Sequence, residues 1–436
     1  MAYRIKIIGA GLAGSEAAWQ CARRGIEVDL YEMRPVRKTP AHETANFAEL
    51  VCSNSLKSDS ENTAPWLLKE EMRRAGSLLM EIARQAQVPA GHALAVDRDV
   101  FARLTTEALE REPLIRIHRE EVTGVDEATK INVIATGPLT SDALSQEIAR
   151  LSGSNHLFFY DSISPIVEAD SIDWQHAFRG SRWGRGSDDG GDYVNCPLSK
   201  DEYRAFVEAV RAGQKVAPHA FEEPRYFEGC LPIEVMADRG DDVLAFGPMK
   251  PVGLDTDAHA VVQLRAENRW ATSYNLVGFQ TRLTYPEQKR IFAMIPALHA
   301  AEYVRMGSIH RNSYIESWRL LGAELELRAL PHVRLAGQIT GVEGYIESTA
   351  MGLVAALFTH GRLAGKPVPA PPPPTAFGAL YHHLMRPRAP GEPFSPTNIN
   401  YGLLPPLEGR AKKRERRALH AERAQAALGP WLSAVA

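Results

Sequence analysis

The stretch that most constrains this chain is residues 4–34, RIKIIGAGLAGSEAAWQCARRGIEVDLYEMR. Residues 5–8 form a short apolar run rich in β-branched side chains, as suits a buried parallel strand. Gly9, Gly11 and Gly14 follow as G-x-G-x-x-G and open a helix, and a second apolar run, 26–31, ends at Glu32. Each part has a mechanical task. Gly9 permits the tight turn, Gly11 lets a pyrophosphate approach the backbone beside Ala10, Leu12 and Ala13, and Gly14 lets helix and strand pack closely. Glu32 is placed to accept hydrogen bonds from a ribose. A lone glycine signature is weak. Strand, turn, helix, strand and acid in this order form a dinucleotide site, although the motif leaves FAD and NAD both open.

The chain returns to this pattern late. In RLAGQITGVEGYIESTAMGLVAALFTHGRLAG, residues 334–365, a short strand ends at Ala336 and Gly337, a turn carries Gln338, Gly341 and Gly344, and a long helix starts near Tyr345. Ser348, Ala350, Gly352 and Ala355 are small enough for close packing. One unit holding the ADP half and another closing over flavin and ribityl is what a flavoprotein needs, whereas NAD domains seldom need the second. The fold expected is α/β, a Rossmann-type FAD-binding domain with an inserted α+β domain. Its first part spans 1–95 and its closing part 286–366. Residues 96–285 are mostly insertion, with 131–137 a candidate to return to the FAD domain. Residues 367–436 are a proline-rich linker and a basic helical tail.

Between these units, 65–86 reads as one helix begun at Pro65, Asp97 can cap another to about 110, and 200–211 is helix-like. Residues 261–264 and 274–279 are the clearest strands of the middle part. The spacer PVPAPPPP is stiff and extended. Beyond it, GRAKKRERRALHAERAQAA reads as a helix with positive charge on most faces. It is either a solvated face or a phosphate-contacting patch. Net charge over 436 residues is only -3, so no global field announces nucleic acid.

The four cysteines are widely spaced, with no CxxC or HExxH, so neither a disulfide framework nor a zinc site is expected. The N-terminus runs almost directly into a strand and leaves no room for a signal peptide, and no apolar run is long enough to span a membrane, so a cytoplasmic location is expected. Cys21 falls on the packed face of the first helix, and Cys196 in a loop-like run. Cys52 stands among Ser53, Asn54, Ser55 and Ser58, and Cys230 in FEGCLPIE near Glu228 and Glu234. Each thiol is as readily idle as catalytic on this reading, because attack needs thiolate character that sequence does not reveal. His42, Glu43, His310 and Arg311 are further polar candidates.

Several segments carry a family resemblance: GAGLAGSEAAW with YEMRP, HETANFAELVCSNSLKS, FEGCLPIEVMADRG, GPMKPVGL, YNLVGFQTRLTYPEQKRIF, IHRNSYIES and LAGQITGVEGYIESTAMG. The chain resembles the folate- and FAD-dependent tRNA uracil-C5 methyltransferases of the TrmFO (formerly Gid) family. It also resembles, in AGQITG and RLTYPEQKR, the larger MnmG (GidA) flavoproteins that modify the tRNA wobble uridine. The resemblance implies one-carbon transfer from methylenetetrahydrofolate to carbon 5 of uridine 54 in the tRNA T-loop, with NADH or NADPH reducing FAD. It places the functional cysteines at Cys230, favoured as the uracil nucleophile, and Cys52, its partner near the flavin. Tyr345 becomes a candidate to stack on flavin or folate. Lys412, Lys413, Arg414, Arg416 and Arg417 become candidates for tRNA contact, and a monomer is favoured. The alternatives are an MnmG-like enzyme and a flavin-containing RNA-binding module without methyl transfer.

Overall fold

A computed structural model gives the architecture. It describes residues 3–39, 41–125, 129–153, 157–184, 191–216, 231–389, 392, 394–409, 412 and 415–435. The first unit is a six-stranded sheet. Its centre is β1 (Arg4–Ile8), paired in parallel with β2 (Glu27–Tyr31) on one side and with Asn132–Ile134 on the other. Ile115–His118 extends the sheet beyond β2, and Leu330–Leu335 extends it beyond Asn132–Ile134, both in parallel. A short antiparallel strand, Glu326–Leu327, finishes that edge. The segment 96–285, read from sequence as mostly insertion, therefore gives two strands to this sheet.

Helix α1 (Leu12–Ala22) follows β1 and packs along the helix Tyr345–Ala364. The contact is close because of one missing side chain: a Cβ on Gly352 would collide with the Ala13 carbonyl. Both helices are buried along most of their length, as suits elements lying between other layers.

The second unit is an antiparallel sheet with its own apolar core. Its strand order is Phe178–Gly180, Tyr193–Leu198, Ala260–Ala266, Ser273–Leu276, Ile166–Glu168, Tyr303–Arg305. The chain enters and leaves this unit through one ribbon, Leu157–Ile163 against Ser308–Tyr314. A small sheet of Ser55–Ser58, Ala93–Val96 and Gln87–Val88 follows the Cys52 loop and packs against the helices Ala64–Arg74 and Leu78–Gln85.

Four local readings change. The single helix expected over 65–86 is two, Ala64–Arg74 and Leu78–Gln85, because Gly76 adopts φ +75° and Ser77 then caps the second through the Met80 amide. Cys196 lies inside the strand Tyr193–Leu198 rather than in a loop. The proline run is packed, not a free spacer: the Trp431 indole donates to Pro369 O at 2.9 Å, and a Cβ on Gly378 would collide with Pro372 O. The last helix, Glu415–Val435, is docked. His420, Ala421, Ala424, Leu428, Trp431 and Val435 form its buried face, Arg423 is half-buried and donates to Pro406 O at 2.8 Å, and Arg416 and Arg417 are exposed on the outer face.

Candidate functional site

The glycine turn is built as its spacing requires. Gly9 has φ +97°, and a Cβ there would sit 2.8 Å from Ala135 O. A Cβ on Gly14 would collide with Gly9 O, so this glycine lets helix and strand approach. Gly11 is different, since a Cβ there meets nothing within 4 Å. It faces open space at the α1 N-terminus, where first-turn amides lack intrahelical partners. That space is a cavity of about 110 Å³ lined by Gly11, Leu12, Ala13, Glu32, Gln338 and Tyr345, among others. Ala10 is fully buried and its amide donates to Glu32 Oε2 at 3.1 Å. Gly9 lines a smaller adjoining cavity with Tyr31 and Thr136.

Glu32 is held rigidly. Its Oε1 accepts from the Arg34 amide and from Arg34 Nε at 3.1 and 2.9 Å, and Arg34 reaches on to Glu49 at 2.9 Å. Burial alone would push this carboxyl up. The hydrogen bond and charge of Arg34, with the two backbone amides, outweigh it and leave Glu32 below the usual carboxylate range. It is an ionised acceptor, as a ribose partner must be.

The late unit closes over the same space. Gly337, φ +79°, lies against α1, where a Cβ would meet the Ala13 methyl at 2.6 Å. Gln338 and Tyr345 line both the first cavity and a second one of about 240 Å³. Gly341 lies outside both linings. Its φ of +96° and the Phe394 ring where a Cβ would fall give it a packing role. The two cavities also share Val51, Pro138 and Leu139, so they form one groove from the glycine turn to the Cys52 loop. The uncapped N-termini of α1 and of Tyr345–Ala364 both open on it. A cradle without side chains at Gly11, an ionised acid at Glu32 and a continuous groove fit an extended dinucleotide such as FAD.

Cys52 lines the second cavity with Ser53, Lys57, Glu343 and Tyr345. The Cys52 and Ser53 amides donate to the Tyr345 hydroxyl at 2.7 and 3.2 Å. Burial raises the Tyr345 pKa, so the phenol stays neutral while its ring lines both cavities. Lys57 pairs at 2.6 Å with Glu347, whose carboxylate is fully buried. Burial pushes Cys21 and Cys196 up to about 12, which leaves both as inert thiols.

Of the remaining candidates, Cys230 lies outside the described residues, as do Lys413 and Arg414. Lys412, Arg416 and Arg417 are exposed and line neither cavity. His42 lines the first cavity and shares a 2.7 Å hydrogen bond with Thr39, whereas Glu43 is exposed and its amide donates to Glu49. His310 and Arg311 belong to the ribbon Ser308–Tyr314. Sequence reasoning missed Lys57 and three arginines, Arg98, Arg265 and Arg305, that grip the Cys52 loop. A charged residue inside the apolar strand Ala260–Ala266 was the available signal for Arg265.

Known proteins share this architecture and much of this sequence. Residues 4–367 match the family described as Glucose inhibited division protein A. The chain is similar to the Methylenetetrahydrofolate--tRNA-(uracil-5-)-methyltransferase TrmFO of Koribacter versatilis, 55% identical across 99% of both chains. It is likewise similar to the proteins of that name from Syntrophotalea carbinolica, 55% identical over 98% of this chain and 93% of the relative, and Geobacter sulfurreducens, 54% identical over 99% of each. Among solved structures, Aquifex aeolicus GidA superposes with a TM-score of 0.71 at 16% identity, over 99% of this chain and 74% of that one, a likeness of fold.

Proposed function

Because the chain belongs to the TrmFO family of GidA-type proteins, we propose that it is a methylenetetrahydrofolate-dependent tRNA (uracil-5-)-methyltransferase that binds FAD and acts on uridine 54 of the T-loop. The observation that carries the reading is the full-length similarity to these relatives in a chain whose Cys52 lines the same groove as the glycine turn. The fold alone does not separate this reading from wobble-uridine modification, because the GidA likeness stands at 16% identity.

The residues would divide the work as follows. The amides around Gly11, Leu12 and Ala13 take the pyrophosphate of FAD, with the α1 N-terminus behind them, and Glu32 accepts from the ribose. Gly337, Gln338 and Tyr345 close the far side. When bound, the flavin supplies the redox chemistry that brings a one-carbon unit from the methylene to the methyl level, with NADH or NADPH as the source of two electrons. Carbon 5 of uracil is a poor nucleophile. Addition of the Cys230 thiolate to carbon 6 turns the ring into an enolate, and carbon 5 can then form the new carbon–carbon bond. A base removes the carbon 5 proton as the bond between the one-carbon unit and its nitrogen carrier breaks, which leaves an exocyclic methylene on the uracil. Gain of a hydride equivalent turns this into the methyl group and expels the Cys230 thiolate as the carbon 5–carbon 6 double bond reforms. Cys52 serves as the second thiol at the groove, and the outer face of the last helix meets the tRNA backbone.

The test is nucleoside mass spectrometry of unmodified tRNA incubated with the protein, FAD, methylenetetrahydrofolate and NADPH. A methyl group on carbon 5 of uridine 54 is expected, and modification confined to the wobble position would replace this reading with the MnmG-like one.

A further inference from the structure

The Cys52 loop is gripped at every residue from 50 to 54 by side chains from elsewhere in the chain. Arg98 Nη1, in the first turn of the helix Arg98–Arg111, donates to Leu50 O at 2.6 Å. Arg305 Nη2, at the end of the strand Tyr303–Arg305, donates to Val51 O at 2.6 Å. Arg265 donates to Ser53 Oγ and to Asn54 Oδ1, each at 2.8 Å, and Tyr345 receives the Cys52 amide. Two of the three arginines belong to the second sheet, so the loop is held between the two units.

The charge balance of this grip is uneven. Arg98 has a counter-ion, Glu267, which it meets through both Nε and Nη2. Among the described residues, Arg265 and Arg305 have no carboxylate within ion-pair distance, Glu267 acts on both only from farther off, and Arg305 Nε is buried without a hydrogen-bond partner. Among the described residues, other charged groups near the loop are Lys57, already paired with Glu347, Glu343 on the wall of the second cavity, and Glu49, which lines the first cavity beside Val51. All three guanidinium groups and the Tyr345 phenol are electrostatically coupled to the Cys52 thiol. Cationic neighbours favour a thiolate, the form that acts as nucleophile, whereas apolar burial disfavours it.

We propose that Arg98, Arg265 and Arg305 are positioning residues for Cys52, fixing its loop between the two units and holding its thiol as a thiolate at the cavity wall near neutral pH. The proposal rests on the reading that Cys52 takes part in the reaction, and its test is separable from that reading. Full-length protein is alkylated with iodoacetamide across a pH series, and the Cys52 peptide is quantified by mass spectrometry. Wild-type Cys52 should react with a midpoint at least one pH unit below the ~8.5 of a free cysteine. Arg265→Gln and Arg305→Gln should move the midpoint upward, and the rate at neutral pH should fall about tenfold for each pH unit by which the midpoint rises. Arg305→Lys, which keeps the charge, should recover most of that rate. A wild-type midpoint at or above the free value, absence of labelling at any pH, or equal behaviour of the Gln and Lys variants would overturn the proposal. If the Gln variants fail to fold by circular dichroism, the wild-type profile decides alone. Methylation by Cys52→Ser is measured separately. Retained methylation would remove Cys52 from the reaction and leave the labelling result standing, whereas lost methylation with a free-thiol profile would overturn only the arginine role.

Discussion

The Tyr345 hydroxyl accepts the Cys52 amide at 2.7 Å, joining the first residue of a helix late in the chain to a loop that follows the second strand. The same ring lines both halves of the groove. One side chain thus ties the nucleotide end of the site to its thiol end.

Tyr345→Phe keeps the ring and removes the acceptor. The Cys52 and Ser53 amides then lose their partner, at a cost of about 1–3 kcal/mol if water does not replace it. Urea unfolding should show a loss in that range with little change in bound flavin. Unchanged stability would mean that the hydroxyl does not hold the loop.

The glycines of the turn should separate by role. Gly11→Ala meets open space, so the fold should survive with an unshifted melting temperature while flavin affinity falls at least about tenfold, because the added methyl occupies the cradle. Gly14→Ala forces α1 off the Gly9 carbonyl and should lower stability itself, by about 1–3 kcal/mol. Thermal melts with and without added FAD distinguish the two, and identical behaviour would contradict the assignment.

The outer face of the last helix offers a test that spares the fold. Arg416 and Arg417 are exposed. If both contact phosphates, Arg416→Gln with Arg417→Gln should weaken tRNA binding and reduce the salt slope by roughly 1.5–2. The melting temperature should not move. An unaltered slope would return this helix to a solvated face.

His383 gives a pH signature. Burial holds it down to about 4, although its ring nitrogen shares a hydrogen bond with Ser395 O. A histidine lowered on folding stays neutral in the native state while the unfolded chain takes up a proton. The stability it contributes is complete above about 6.5 and is lost as pH falls from there through about 4. His383→Gln should flatten the unfolding free energy over that window in titrated urea melts. An identical acid slope in both proteins would rule His383 out as the source.

The sheet's centre was legible because Gly9, Gly14 and the apolar runs beside them are local signals with a fixed mechanical meaning. The helix from Tyr345 was legible for the same reason. The grip on Cys52 was not, because Arg98, Arg265 and Arg305 lie far apart in sequence and meet only when two sheets are built and docked. Glu32 was legible as an acid at a strand end, but its ionisation depends on Arg34 and the Ala10 amide, which a spacing cannot reveal. The docked tail was misread because charge at 410–417 masked the apolar positions from Ala421 to Val435 that bury its inner face.

The central claim is that this groove delivers a folate-borne carbon to uracil, and isotope tracing tests it most directly. Unmodified tRNA is incubated with the protein, FAD, NADPH and methylenetetrahydrofolate carrying carbon-13 in the methylene position, and the digested nucleosides are weighed. The expected product is 5-methyluridine from position 54 with the label in its methyl group, formed only when the folate is present. Methylation without the label, or labelled product only at the wobble position, would contradict the claim.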